Sequence, residues 1–533
     1  MYDALLIHAL NPVTFKNTNP SLGLGYIASY VEAHSDFKVG IVHPGEYTGL
    51  EDSIENQIRI INRNKAPIIG ISATELNYDK ALDLASAIKK IPDYNPLVVL
   101  GGYATLGNLE TDLAHNPNID YVVRKEGEET FLELMTAYLN NNLIEFEEIL
   151  GITYVDEHGK LVRNDNRPFI SNLDDLPFPK REYVNSIWKN DNPYSTSISG
   201  SRGCYGCCSF CKIWEMYDRK TRTRNNEKIF EEIISVQKIK PKNRIFDFID
   251  DDFLVDQKKG AKRLVTLADL LSNSKLKSSE GVPIRIKFQA RANDYVSFQK
   301  EVEYAANKEI LYRLDIGIEG FNLDHLTRWD KGNTKFRMVD ENIKAVNFLG
   351  KLFEKYKVQA GLYLISFDKK SDSNSLKNHF STSNIDKLDF PLFTTLFSLG
   401  YNNNYFYSAP ESNEYPDKLS DFKVLMENLE DRIGILRQWY LLRHHKKLRN
   451  GHVPREKEQR DMIEDEVLFS IKDYIDASVE LIDAKKSRLK RKRNKTITKI
   501  VSEFDKRIEK LKIVDFVLPT YHVGQSLMTI LRL

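Results

Sequence analysis

Cys204-Tyr205-Gly206-Cys207-Cys208-Ser209-Phe210-Cys211 holds every cysteine of a 533-residue chain. Four thiols gathered in one short stretch and used nowhere else point to chemistry rather than packing. Thiolates at this spacing suit a soft metal or an iron–sulfur cluster. A structural zinc site would need four closed tetrahedral ligands, with Cys207 as the fourth. Adjacent Cys207 and Cys208 fit that poorly, because zinc ligands commonly come from two separated knuckles. Disulfides are disfavoured because the cysteines are not paired and dispersed as in an oxidised scaffold. Inert buried thiols are the plain alternative, and their shared locus argues against them.

The spacing of Cys204, Cys208 and Cys211 resembles the signature of the radical S-adenosylmethionine (SAM) superfamily. The resemblance implies a 4Fe-4S cluster with these three cysteines as its protein ligands. One iron is then left open for the amine and carboxylate of SAM. Cys207 stands where the superfamily tolerates many residues, and reads as a bystander.

Composition bounds the setting. At 61.7 kDa the chain is too long for one ordinary core, so two to four domains are expected. A hydrophobic fraction of 41% beside 29% charged residues is that of a globular protein. The 77 Lys and Arg balance 76 Asp and Glu, so no global field draws the chain to nucleic acid. No apolar run approaches the roughly 20 residues that span a bilayer, and the N-terminus lacks a secretory pattern. A cytoplasmic, reducing compartment is the expectation.

Residues 1–150 alternate apolar runs with amphipathic stretches. Strands are expected at Ala4–Ala9, Lys38–Val42, Ile68–Ser72, Leu97–Leu100 and Tyr121–Val123. Helical patterns fall between and after them at Leu24–Ala33, Ile54–Asn62, Lys80–Ile91 and Glu128–Tyr138. This rhythm predicts a Rossmann-like parallel sheet with helices on both faces, binding its ligand beyond the strand ends. The strand-end loops carry Ser72-Ala73-Thr74, Gly101-Gly102-Tyr103 and Glu126-Gly127-Glu128. With Pro20-Ser21-Leu22-Gly23 they resemble the cobalamin-binding domain that precedes many radical SAM barrels. The resemblance implies cobalamin contacts from Gly23, Ser72, Thr74, Gly101, Gly102, Tyr103, Gly127 and Glu128. The loop after the first strand reads Asn11-Pro12-Val13-Thr14-Phe15, without the histidine that ligates cobalt in other cobalamin proteins. His8 reads as a packed strand residue and His43 as a loop residue.

Residues 151–193 read as an interdomain connector, with a hairpin turn at Glu157-His158-Gly159 and a proline-stiffened crossing at Leu176-Pro177-Phe178-Pro179. From 194 to 400 the strand–helix rhythm resumes, and resembles the partial (β/α)6 radical SAM barrel. In that likeness Phe210 lies against the adenine. Asp250, Asp251 and Asp252 face the SAM amine, Arg291 pairs with its carboxylate, and Glu319 takes ribose or other polar contacts. Asp residues in such places also cap helices, and Arg222 and Arg224 are read as residues that position the loop. Residues 401–533 are expected to form a mainly helical domain with a basic run from Lys485 to Lys495. A charge run of this kind is usually a solvated face.

The family resemblance implies reductive cleavage of SAM to a 5′-deoxyadenosyl radical and methyl transfer from methylcobalamin to an unactivated carbon. The substrate would be a small molecule or peptide, and the electron donor a flavodoxin or ferredoxin. Two alternatives stand beside this reading. One is a non-methylating rearrangement or cyclisation, with or without cobalamin. The other is a zinc-stabilised RNA-binding or scaffold protein.

Overall fold

A computed structural model of the chain describes residues 2–9, 20–42, 54–74, 77–106, 109–140, 145–184, 194–209, 211–255, 259–320, 323–328, 331, 338–364 and 396–399. Phe210, His43 and the expected helical domain at 401–533 lie outside the described residues. The chain divides into two compact units. The first runs through Ile316 and takes in Leu352–Val358; the second begins at Gly317.

The first unit opens with a seven-stranded sheet. Its strands are β1 (Ala4–His8), β2 (Val39–Val42), β3 (Ile68–Ser72), β4 (Leu97–Gly101), β5 (Tyr121–Val123), β6 (Ile152–Val155) and β7 (Leu161–Arg163). They lie in the order β2-β1-β3-β4-β5-β6-β7. The first five are parallel, and the β6–β7 hairpin adds two antiparallel strands at the β5 edge. The hairpin read as the start of the connector therefore extends this sheet.

Burial on both faces explains the apolar strands. Leu5, Ile7, Ile69, Ile71, Val98 and Leu100 pack on one side with Leu84, Ala85 and Ile88 of the Tyr78–Lys89 helix. Their neighbours Ala4, Leu6, Ile68, Leu97 and Val99 pack on the other with the Leu22–His34 and Glu128–Leu139 helices. The chain leaves β1 toward β2 on one side and returns to β3 on the other. That switch point opens a crevice beyond the carboxyl ends of β1 and β3.

A second sheet follows: β8 (Ser195–Ile198), β11 (Ile245–Phe248), β12 (Arg285–Arg291) and β13 (Leu311–Glu319), ordered β13-β12-β11-β8, with β13 from Gly317 onward counted in the second unit. Between β8 and β11 lies a small antiparallel hairpin, β9 (Ser201–Arg202) with β10 (Arg222–Thr223). These strands alternate where those of the first sheet do not. Phe246, Phe248, Ile286 and Phe288 are buried, whereas Asp247, Lys287 and Gln289 share the opposite face. Stacked Phe253 and Phe288 rings, 4.3 Å apart, anchor the apolar side. On the polar side Lys287 bridges Asp247 at 2.7 Å and Asp315 at 3.5 Å. In the second unit, β14 (Gln359–Leu364) and β15 (Leu396–Leu399) pair in parallel.

Lys240 sits just past the Asn226–Ile239 helix, and its ammonium donates to the Ser195 carbonyl. Burial, with Arg181 nearby, pushes its pKa down to about 7. Between that value and the ordinary lysine range the unfolded chain holds a proton that the folded chain lacks, so stability rises with pH across the window. Lys240→Met should flatten that rise. Denaturant unfolding at pH 7 and pH 9 checks it, and parallel pH dependences in the two proteins would contradict it.

Candidate active site at the cysteine loop

The cysteine loop is suspended from the end of β11. Asp250, fully buried, accepts the Gly200 N–H at 2.6 Å, the Ser201 hydroxyl at 2.7 Å and Arg263 at 2.8 Å. Arg263 also donates to the Gly200 and Phe253 carbonyls. Asp251 accepts the Gly203 N–H at 2.8 Å. Gly203 has φ +89°, and a Cβ there would stand 2.0 Å from the Lys220 carbonyl oxygen. Only glycine satisfies both conditions.

The three signature thiols are neighbours. Burial pushes Cys204 up to about 11 and Cys211 up to about 12, and the charges of the other cysteines contribute. Backbone N–H groups of Gly206 and Ile213 point at the Cys204 and Cys211 sulfurs, at 3.3 and 3.4 Å. Arg291 lies 3.6 Å from the Cys208 sulfur. Among the described residues no set of three or more Cys, His, Asp and Glu is closed around one ion. The donor chemistry nevertheless fits an iron–sulfur cluster. A cluster binds thiolates, so it displaces the protons that burial holds on these thiols, and N–H donors to ligand sulfur are its usual surroundings.

Two further carboxyls face this loop. Asp252 is fully buried, and neither of its oxygens completes a hydrogen bond of good geometry. Asp294, also buried, accepts from the Tyr205 hydroxyl at 2.9 Å and from Asn293 at 3.1 Å. Burial drives both carboxyls upward, and their proximity favours one shared proton. A buried carboxyl pushed upward by desolvation gains from a nearby positive charge, so Asp252 is suited to receive a cationic ligand group. Glu319 ends β13 with φ +58°, in the second unit. There Asn342 donates to the Ile318 and Gly320 carbonyls on either side of it.

The strand ends of the first sheet form a second locus. Ser72 and Gly101 pair across β3 and β4. Gly102 has φ +94°, and a Cβ there would stand 2.5 Å from the Ala73 carbonyl. Thr74 donates to Asn77, whose amide donates in turn to the Ala9 carbonyl at 2.8 Å, tying the ends of β1 and β3. Gly23 lies on the Leu22–His34 helix with open space about it. These small, glycine-lined ends fit a bulky ligand approaching the backbone. His8 instead bonds the Ala9 carbonyl, and burial lowers its pKa.

Two of the expected contacts are engaged elsewhere. Glu128 binds Arg202 at 2.6 Å, and Tyr103 packs with Met216 and Tyr217 of the helix after Cys211; a Cβ added at Gly127 would stand 3.2 Å from the Ile27 side chain. Asp250 similarly spends its carboxylate on the loop. Arg222, read as a positioning residue, forks onto Glu126 at 2.8 and 2.9 Å. Arg224 binds fully buried Glu232 and reaches the Tyr26 hydroxyl at 3.3 Å. Sequence reasoning missed Glu126, Arg202, Arg263 and Asp294. All but Arg263 stand within or beside the quoted motifs, but nothing in their spacing names their partners. Thr105, Leu106, Arg124, Lys125, Trp214 and Arg219 help line a cavity of about 490 Å³ between the loops after β4 and β5 and the helix after Cys211.

This arrangement is similar in fold to solved cobalamin-dependent radical SAM enzymes, and its first part matches a B12-binding domain. The B12 binding domain family matches residues 11–135. Among solved structures, the cobalamin-dependent SAM radical enzyme OxsB, with aqua-cobalamin and SAM bound, aligns with 94% of this chain and 84% of its own. The TM-score is 0.63 at 17% identity. The radical SAM methyltransferase TsrM from Kitasatospora setae, with cobalamin and a 4Fe-4S cluster bound, aligns over 75% and 72%, with TM-score 0.54 and 14% identity. Among curated relatives, an uncharacterized methyltransferase of Pyrococcus horikoshii is 29% identical over 61% of this chain and 66% of its own length. The cytidylyl-2-hydroxyethylphosphonate methyltransferase of Streptomyces wedmorensis is 25% identical over 46% and 53%. An anaerobic magnesium-protoporphyrin IX monomethyl ester cyclase of Rubrivivax gelatinosus is 27% identical over 40% and 38%. The chain thus spans between about two fifths and two thirds of the length of these relatives. Among the described residues no helix is long and apolar enough to cross a membrane.

Gly203→Ala should cut iron and sulfide incorporation to a small fraction of wild type, because the added methyl cannot coexist with the Lys220 carbonyl. Full metal content in that variant, measured after anaerobic reconstitution, would show that the loop is not held as described.

Proposed function

We propose that this chain is a cobalamin-dependent radical SAM enzyme of the methyltransferase type, and that it methylates an unactivated carbon of a small molecule or peptide. The observation that carries the reading is one compact unit that combines a B12-binding domain with a three-cysteine loop backed by Arg291 and the buried Asp252 carboxyl. When bound, the cluster and SAM supply a hydrogen-abstracting radical, and methylcobalamin supplies the methyl group.

Cys204, Cys208 and Cys211 would hold the cluster. Arg291, beside Cys208, balances the added negative charge and is placed to pair with a carboxylate. Asp252 and Asp251 are the groups for the SAM ammonium, which could form a charge-assisted bond to either carboxylate. The family resemblance alone adds Glu319 and Phe210 as proposed SAM contacts. Ser72, Thr74, Gly101 and Gly102 would line the cobalamin crevice together with Gly23, and Tyr103 and Gly127 would shape it from behind. Asp250 and Glu128 support the reading less directly, by fixing the loops that carry the other groups. The electron would come from a flavodoxin or ferredoxin, and a cytoplasmic setting suits such a centre. A cyclisation without methyl transfer is the second reading, favoured by the cyclase among the relatives.

Cys208→Ala should abolish formation of 5′-deoxyadenosine from SAM by at least about 100-fold, whereas Cys207→Ala should keep most of it. Chromatography of anaerobic assays measures both, and cleavage retained in Cys208→Ala would overturn the assignment. Reconstituted full-length protein should also keep a cobalamin absorption band through gel filtration. Its loss would leave a B12-type domain without its ligand.

A further inference from the structure

We propose that Glu126 is a positioning residue that couples the two cofactor sites, so that filling the B12-binding domain changes how the cysteine loop holds SAM. The inference rests on the function proposed above.

Glu126 lies in the loop between β5 and the Glu128–Leu139 helix, at the carboxyl edge of the first sheet. Its side chain is 8% exposed. One oxygen accepts Arg202 at 2.7 Å and Arg222 at 2.9 Å. The other accepts Arg222 at 2.8 Å and the Ile170 N–H at 3.1 Å. Burial alone would raise this carboxyl, but the arginines outweigh it and hold it below the ordinary range. Arg202 and Arg222 face each other across the β9–β10 hairpin, and Gly203-Cys204 follows Arg202 directly. Arg202 spends its remaining fork on Glu128 at 2.6 Å. Arg222 also lies 4.9 Å over the Phe169 ring. One buried carboxylate therefore ties the β5 loop of the B12-binding domain to both strands that flank the cluster ligands.

Bidentate guanidinium–carboxylate contacts fix direction as well as distance. All four acceptor sites of Glu126 are taken, so neither loop can shift alone without stranding an arginine N–H in the interior. A ligand that moves the β5 loop must then move the hairpin, and the reverse holds by linkage.

The test uses cluster-loaded, full-length protein. The dissociation constant of SAM is measured by equilibrium dialysis, with and without saturating hydroxocobalamin. Wild type should show at least about a fivefold difference between the two conditions, the lower end of coupling between linked sites. In Glu126→Gln an NH2 donor replaces one carboxylate oxygen, so the negative charge, the Arg222 fork and the Ile170 contact cannot all be kept. The difference should fall to within about twofold of unity, while iron content and cobalamin-free SAM affinity stay near wild type. A purely structural role would lower thermal stability or iron content and leave the ratio intact. If Glu126→Gln does not fold, Arg222→Lys decides, because it keeps the charge and loses the fork; its ratio should be at most half that of wild type. A wild-type ratio near one, or an unchanged ratio in the folded variant, overturns the coupling alone. Wild type that binds no cobalamin overturns the coupling and the proposed function together.

Discussion

A carboxylate taken out of water must be met by cations and N–H donors, because burial otherwise drives it to pick up a proton. Glu126, Glu128, Glu232 and Asp250 are all buried here, and each is met by arginine. Those four encounters fix where the cysteine loop can be. Arg202 and Arg222 bring its flanking hairpin to the first sheet. Arg224 reaches back to Tyr26 on the first sheet's helix, and Arg263 hangs the loop from the end of β11. Such pairs add little net stability compared with apolar packing of the same volume. Their contribution is to exclude other arrangements, since any other arrangement leaves a charge buried and alone.

Around that constraint the two sheets solve different problems. The first sheet is covered on both faces, so its strands are apolar throughout and its chemistry is confined to the loops at their ends. The second sheet keeps one face apolar against aromatic packing and the other charged, with Lys287 bridging Asp247 and Asp315. A charged face inside a strand–helix fold is expensive unless it borders a ligand space. The polar groups that crowd the cysteine loop, Arg291, Asp252, Asp294 and Tyr205, continue it to the strand ends.

Much was legible in the residues themselves. Strand–helix alternation gave the five parallel strands of the first sheet within a residue or two, because a sheet buried on both sides leaves apolar runs bounded by loops. The grouped cysteines marked the candidate cluster loop, since no packing demand gathers thiols in that way. The β6–β7 hairpin was visible as a hairpin, but its antiparallel attachment to β5 was not. Pairing between strands depends on edges that sequence periodicity does not label. The Leu109–Ala114 helix was also missed, being too short to show a period.

The sequence by itself marked the residues proposed to carry chemistry: Cys204, Cys208 and Cys211, the aspartates after β11, Arg291, and the glycines after β4. Tertiary structure alone decided how the charged members of those motifs are spent. Asp250 and Glu128 turn inward to hold loops, Glu126 binds both flanking arginines, and Asp252 is buried beside Asp294. The reason is physical. A motif records residue type and spacing along the chain. Whether a carboxylate faces a ligand or an arginine depends on which distant segment arrives beside it, and Arg202 and Arg222 arrive from more than seventy residues away.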